Sequence, residues 1–230
     1  MSLPDKSTTL EEAVARIPNG ATIMVGGFGV PGTPFALIQE LKRQGQTDLT
    51  LIKNDANETG MGIDHLIANG QVRKLISTHI GLNAHAIDAI NQGRIEMEFC
   101  AQGILAERIR AGGAGLQAIL TDIGLDTEMA EGKQIVEMNG QSLLVEPALR
   151  ADVALIHADR GDLFGNLAYR ATARNFNPMM AMAARTVIAE VETLGALGSL
   201  APDAVETPGA FVDHIAALPA LSEEYGIVKR

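Results

Sequence analysis

The sequence predicts an α/β fold: an open, mostly parallel sheet with helices on both faces and one antiparallel hairpin excursion. Three observations predict it. Short apolar runs alternate with segments of helical periodicity along most of the chain, the pattern of strands joined by crossover helices. The 230 residues are 47% hydrophobic and 20% charged, enough to build a buried core and too apolar for disorder. Near position 139, two apolar segments flank an Asn-Gly pair, the signature of a tight two-residue β-turn. No linker, repeat or low-complexity stretch divides the chain, so it reads as one domain over residues 1–230.

Ala21-Thr22-Ile23-Met24-Val25 is a short apolar run that stops at Gly26-Gly27 and reads as a buried strand. Thr33 is placed to cap the next helix, with Pro34 at its first position. Phe35, Ile38 and Leu41 recur at threes, Leu37 lies four before Leu41, and Gly45 ends the stripe. A second strand is expected over residues 49–53, a helix over 61–68, a third strand over 72–78 and a helix over 84–91. A fourth strand follows over 95–100 and a short helix over 105–110. After Gly112-Gly113 the pattern changes. Ile135-Val136-Glu137-Met138 and Gln141-Ser142-Leu143-Leu144-Val145 enclose Asn139-Gly140, which predicts the hairpin. Residues 153–157 resume the buried-strand pattern, 179–185 read as a helix and 187–191 as another strand. The tail from Pro202 is irregular, with residues 211–215 as an edge strand.

Charge and composition exclude several function classes. Lys and Arg number 18 against 28 Asp and Glu, a net charge of −10. A field of that sign repels phosphate backbones, so no nucleic-acid partner is expected. The single cysteine, Cys100, allows no internal disulfide framework and fits a reducing compartment. Met1-Ser2-Leu3-Pro4-Asp5-Lys6 has no apolar signal core, and no apolar run reaches the roughly 18 residues of a membrane span. A cytoplasmic protein without a membrane partner is expected.

Strand, then Gly26-Gly27-Phe28-Gly29-Val30-Pro31-Gly32-Thr33-Pro34, then helix is the most informative local feature. Glycines let backbone N–H groups approach a ligand, and a helix N-terminus adds partial positive charge. Gly27, Gly29 and Gly32 also match the spacing of a dinucleotide fingerprint, and Asp55 lies where a ribose-binding acid is sought. A glycine-rich turn serves tight packing as well. An NAD(P)-dependent oxidoreductase therefore remains an alternative reading of the Gly27–Gly32 loop.

Read whole, the stretch runs Asn19-Gly20, then Ile23-Met24-Val25, Gly26-Gly27-Phe28, Gly32 and Pro34. It resembles the signature of the α-type subunit of family I CoA-transferases, the 3-oxoacid group. Further segments resemble that family in order. Leu49-Thr50-Leu51-Ile52-Lys53-Asn54-Asp55 and Ser77-Thr78-His79-Ile80-Gly81 come first. Gln102-Gly103, Glu107-Arg108-Ile109-Arg110-Ala111-Gly112-Gly113 and Glu131-Gly132-Lys133 follow, then Gly165-Asn166-Leu167-Ala168-Tyr169-Arg170 and Ala173-Arg174-Asn175-Phe176-Asn177-Pro178. The similarity covers about residues 8–217. Thr78-His79-Ile80-Gly81-Leu82-Asn83 looks more like the acetate/acetoacetate branch than the oxoadipate branch.

The resemblance implies a CoA-transferase-like fold and transfer of CoA between a short-chain acyl-CoA and a carboxylic acid, such as the 3-oxo acid acetoacetate. It implies anhydride and glutamyl-CoA intermediates on a glutamate nucleophile. In the family that glutamate stands in a Ser-Glu-Asn-Gly motif of the β-type subunit. Here the nearest string is Ser222-Glu223-Glu224-Tyr225-Gly226, which lacks the Asn and reads as a solvated tail. The chain is thus expected to be half an enzyme, active only with a β-type partner in a hetero-oligomer. By resemblance, Gly26, Gly27, Phe28, Gly29, Val30, Pro31 and Gly32 form the CoA-binding segment. Asn54 and Gln102 match positions whose amides reach the active site, suited to an oxyanion or to substrate positioning. CoA is then a substrate, and no cofactor is bound covalently. A non-catalytic acyl-CoA-binding protein is a further alternative.

Other reactive residues carry less. Cys100 reads as a core residue. His79 and His85 do not share a helical face, so no metal site is expected. His65, His157 and His214 are isolated in sequence. Asp122, Asp126, Glu128 and Glu131 read as a solvated acidic loop, and Glu107 as a helical partner of Arg108 or Arg110. Arg170 and Arg174 have the charge to meet a carboxylate or the CoA phosphates.

Overall fold

The computed structural model describes residues 5–226. Residues 1–4, which carry part of the N-terminal reading, and 227–230, the end of the expected domain, lie outside the described residues. The described residues form six α-helices: α1 (Leu10–Val14), α2 (Phe35–Gln44), α3 (Asp64–Ala68), α4 (Ala84–Asn91), α5 (Gln102–Gly113) and α6 (Asn177–Ala183). The strands are β1 (Thr22–Val25), β2 (Leu49–Ile52), β3 (Val72–Ser77), β4 (Glu96–Phe99), β5 (Ala118–Thr121), β6 (Ile135–Met138), β7 (Gln141–Pro147), β8 (Ala151–Asp162), β9 (Leu167–Ala168), β10 (Ala184–Gly195) and β11 (His214–Ala217).

The main sheet has the order β11-β10-β8-β1-β2-β3-β4, with β9 attached to β8. Every pair along that order is parallel, and only β8–β9 is antiparallel. The alternation of β1 explains why both faces are covered. Ile23 and Val25 point into one core with Leu37, Leu41 and Leu66, beneath α2 and α3; Met24 points into the other with Leu105, Ile109 and Met180, beneath α5 and α6. The chain winds outward through β2, β3 and β4, then returns to place β8, β10 and β11 on the other side of β1. The loops after β1, β2 and β3 therefore lie side by side at the carboxyl edge of the sheet, where ligands of parallel sheets bind.

The hairpin forms as predicted, pairing β6 with β7 around Asn139 (φ 54°) and Gly140 (φ 76°). Both residues take the left-handed conformation that a type I′ turn needs. β5 completes a small antiparallel sheet of order β5-β7-β6. α4 spans the predicted residues because the Asn83 side chain accepts the Ala86 N–H at 2.8 Å.

Three expectations are corrected. α2 starts one residue later than read, with Pro34 at its N-cap and no side-chain cap, while the Thr33 hydroxyl donates instead to the Gly29 carbonyl at 2.7 Å. α5 is twelve residues long and runs through Gly112 and Gly113. A Cβ on Gly112 would lie 1.9 Å from the Leu149 carbonyl oxygen, and one on Gly113 2.7 Å from Met182 Cβ. Close packing thus overrides the low helix propensity of glycine there. The tail is not free in solvent: Tyr225 packs edge-on against Phe35 with ring centroids 4.7 Å apart and donates its hydroxyl to the Thr33 carbonyl. Glu224 accepts the Gly62 N–H at 2.7 Å and Gln39 Nε2 at 2.8 Å. Among the described residues, no helix is long and apolar enough to cross a membrane.

Candidate active site

The loops after β1, β2, β3 and the start of α5 enclose a cavity of about 340 Å³. Phe28, Gly29 and Val30 of the glycine loop line it, with Asn54, Asp55, His79, Leu82 and Gln102. Gly26, Gly27 and Gly32 are buried behind that wall, and Pro31 is exposed on its outer turn. Phe28 and Leu82 are 49% and 58% exposed, so two apolar walls face outward, left partly uncovered by the described residues.

The buried glycines are there for packing. A Cβ at Gly26 would fall 1.8 Å from Asn177 Oδ1. Asn177, at the start of α6, cannot turn aside freely. Its Nδ2 donates to the carbonyls of Gly32 and Ala173 at 3.1 and 2.8 Å, and its Oδ1 accepts the His157 N–H at 3.2 Å. Gly26→Ala is expected to destabilise the chain by about 2 kcal/mol through overpacking. Urea denaturation reads this directly, and an unchanged midpoint would mean that Asn177 yields.

Asn54 is 2% exposed and follows β2, while Gln102 is exposed at the first turn of α5. The structure brings them together: Gln102 Nε2 donates to Asn54 Oδ1 at 2.9 Å. Asn54 in turn donates from Nδ2 to Asp55 Oδ2 at 3.0 Å. The Asn54 carbonyl is held by the Thr78 and Ser77 hydroxyls at 2.6 and 3.2 Å. Neither residue satisfies its own turn. Both amides keep N–H capacity at the cavity wall, which suits them to a developing oxyanion.

Two features expected of the glycine loop are corrected. Its helix does not offer a free N-terminal dipole. The fully buried Glu190 of β10 accepts the Leu37 N–H at 2.8 Å and also binds the Ala36 N–H, so the first N–H groups of that helix already have an acceptor. His157 Nδ1 lies 2.9 Å from the same carboxyl group. Burial pushes Glu190 above the usual carboxylate range, opposed by its hydrogen bond and charge interaction with His157. Asp55 is also not free to bind a ribose. Its Oδ2 accepts the Gly29 N–H at 2.8 Å besides Asn54, and its Oδ1 accepts the Asn57 N–H at 2.9 Å and faces Lys53 Nζ at 3.5 Å. The dinucleotide reading loses the acid it requires. The Val30 N–H meets no acceptor among the described residues, which leaves a donor on the loop for a ligand oxygen.

The remaining sequence candidates lie away from the cavity. Arg170 pairs with Asp159, and with Glu192 at 3.7 Å; Arg174 pairs with Glu206 at 3.4 Å. Cys100 is buried near Arg108, 3.8 Å from its guanidinium nitrogen. Glu107 pairs with Arg110 at 2.8 Å, while Arg108 turns to Glu98 at 2.9 Å. His85 meets Asp64 at 3.1 Å and His65 meets Glu224 at 3.2 Å. Asp122, Asp126, Glu128 and Glu131 lie outside the core. The residues that sequence reasoning missed include the cavity-lining Asn57, Glu58 and Met61, and Lys53, Glu190 and Tyr225. Of the last three, only Lys53 left a local trace, as a lysine ending an otherwise apolar run two residues before an acid.

The model of the family described as "Coenzyme A transferase" matches residues 7–218. The chain belongs to the coenzyme A transferase family. It is 47% identical over 210 residues to the alpha subunit of the acetate CoA-transferase of Escherichia coli (strain K12), covering 91% of this chain and 96% of that one. It is 48% identical over 199 residues to one subunit of the succinyl-CoA:3-ketoacid coenzyme A transferase of Xanthomonas campestris pv. campestris (strain B100), covering 86% and 82%. A solved structure of a variant of the decarboxylase AibA/AibB superposes with a TM-score of 0.81 at 33% identity, covering 95% of this chain and 84% of that chain. Each of the two curated relatives is a single subunit of its enzyme, and the Escherichia coli one is the alpha subunit. The resemblance of this coenzyme A transferase chain to the α-type half is therefore borne out, and the oxidoreductase reading is set aside.

Proposed function

We propose that this chain, as one domain, is the α-type half of a two-chain enzyme that moves CoA between a short-chain acyl-CoA and a carboxylic acid. The observation that carries the reading is the pair of linked amides, Asn54 and Gln102, 2.9 Å apart on the wall of one cavity. Their N–H groups stabilise the oxygen of the tetrahedral species formed when a carboxylate attacks a thioester. The loop from Gly26 to Gly32 holds CoA against that wall through Phe28, Gly29 and Val30. The nucleophile is a glutamate of a β-type partner carrying Ser-Glu-Asn-Gly, a string absent from this chain. The exposed Phe28 and Leu82 walls support closure by that partner. The cavity is at the small end of ligand sites, which supports acids such as acetate and acetoacetate, as do the names of the relatives. CoA serves as substrate with no covalently bound cofactor, and buried Cys100 supports a reducing, cytoplasmic setting.

Purified alone, the chain is expected to show no exchange between acetoacetyl-CoA and acetate. Co-purified with the β-type chain, it is expected to turn over with ping-pong kinetics. Hydroxylamine trapping during turnover should then modify a glutamate of the partner. Activity of the isolated chain, or an adduct on Glu58, which also lines the cavity, would sink the proposal.

A further inference from the structure

A carboxylate accepts hydrogen bonds and donates none. Asp55 therefore dictates how its neighbours turn. Asn54 must present its NH₂ end to Asp55 Oδ2, 3.0 Å away, so its oxygen points the opposite way. That oxygen can only accept, so Gln102 must present its own NH₂ end to it, at 2.9 Å. Flipping either amide would set donor against donor or acceptor against acceptor. One negative charge thus orients two amides in series. Each NH₂ group commits one hydrogen to the series and keeps the second. Both amides line the cavity.

The same carboxylate ties down the glycine loop. Its Oδ2 accepts the Gly29 N–H at 2.8 Å, and Asn57, whose N–H binds Oδ1 at 2.9 Å, donates from Nδ2 to the Gly29 carbonyl at 2.8 Å. Lys53, with no exposed surface, faces the Asp55 carboxylate at 3.5 Å; burial pushes the Lys53 ammonium below its ordinary range, opposed by the charge of Asp55. Burial alone would push the Asp55 carboxyl up. The Lys53 ammonium and the donors from Gly29, Asn54 and Asn57 outweigh that and hold it below the usual carboxylate range. The charge on which the series depends is therefore present at neutral pH.

We propose that Asp55 is the positioning residue for CoA transfer, acting through Asn54 to aim the N–H groups of Asn54 and Gln102 at the reacting oxygens. This rests on the reading of Asn54 as an oxyanion donor. An amide at position 55 has the same shape but both polarities, so it no longer forbids the reversed series. In the reversed series an oxygen replaces a donor at the cavity wall.

The test uses the co-purified two-chain complex with acetoacetyl-CoA and acetate. Asp55→Asn is expected to lower kcat on the order of 100-fold, the loss typical of one oxyanion donor, while both KM values move by only a few-fold. In an Asn54→Ala background the same substitution is expected to change kcat by no more than about twofold, because the amide through which it sets kcat is gone and the loss of its hold on the Gly29 N–H falls on KM. Equal losses in the two backgrounds would overturn the proposal and leave the oxyanion reading intact. An Asn54→Ala enzyme with unchanged kcat would overturn both. Should the unpaired Lys53 ammonium prevent folding, the Lys53→Met/Asp55→Asn pair removes both charges and is compared in the same two backgrounds, with the same outcomes deciding.

Discussion

In the assembled enzyme, Asn54→Ala lowers kcat by about 100- to 1,000-fold, or about 3–4 kcal/mol of barrier. The expectation follows from where the side chain stands. Its backbone carbonyl, held by Thr78 and Ser77, supports the strand ends and is untouched by truncation. Among the described residues its side chain joins Asp55 and Gln102. The loss therefore falls on the transition state, and kcat and kcat/KM decline together. Gln102 also loses its hydrogen-bond partner, so the Ala variant removes one donor and frees a second. Steady-state kinetics with a thermal melt of each variant check this. A normal kcat beside a lowered melting temperature would make Asn54 a structural residue.

Glu190→Ala has the largest expected effect on stability, about 3–5 kcal/mol, because it breaks a buried ionisable pair and leaves His157 only the longer contact of its Nε2 with Glu192 at 3.4 Å. His157 loses its 2.9 Å partner, and the N–H groups of Ala36 and Leu37 lose their acceptor at the start of α2. For a chain of this size that amounts to a fall of roughly 6–20 °C in melting temperature. Glu190→Gln is expected to lose less. Its oxygen still accepts the Leu37 N–H, and its other end still faces His157 Nδ1. The fold already pushes this carboxyl toward its neutral form by burial, so an uncharged replacement suits the site. Differential scanning calorimetry distinguishes the two variants. A Glu190→Ala protein that melts with the wild type would show that water or a rearranged α2 satisfies the helix end.

The relation between sequence and structure differs by element. The β1–loop–α2 unit, α4 and the β6–β7 hairpin are all readable, because each depends on contacts within a few residues: a glycine C-cap at Gly45, the Asn83 cap, the positive φ angles of Asn139 and Gly140. α1 carries a local signature too, although periodicity alone does not reveal so short a helix. Thr9 accepts the Glu12 N–H at 3.1 Å while Glu12 reaches back to the Thr9 N–H at 3.4 Å, a capping box. β8 and β10 extend beyond the expected spans because each pairs with the other over ten residue pairs, and the ladder continues where the side chains turn polar. The resemblance singled out Asn54, Gln102 and the loop, and Asn54, Gln102, Phe28, Gly29 and Val30 line one cavity; the spacing of Gly27, Gly29 and Gly32 suggested a dinucleotide site, whose acid, Asp55, is instead engaged by Gly29, Asn54 and Asn57.

Local chemistry in the chain was sufficient for the strand and helix alternation, the turn types and the residues that reach the carboxyl edge of the sheet. It was not sufficient for their partners. Gln102 lies 48 residues from Asn54, Gly29 lies 26 from Asp55, and Glu190 lies 153 from Leu37. Each of those pairs is made by strand order, which sets β2 beside β1 and brings β10 to the sheet through β8. A hydrogen bond needs its two groups within about 3 Å, and no residue pattern specifies which distant group a folded sheet will deliver to that distance.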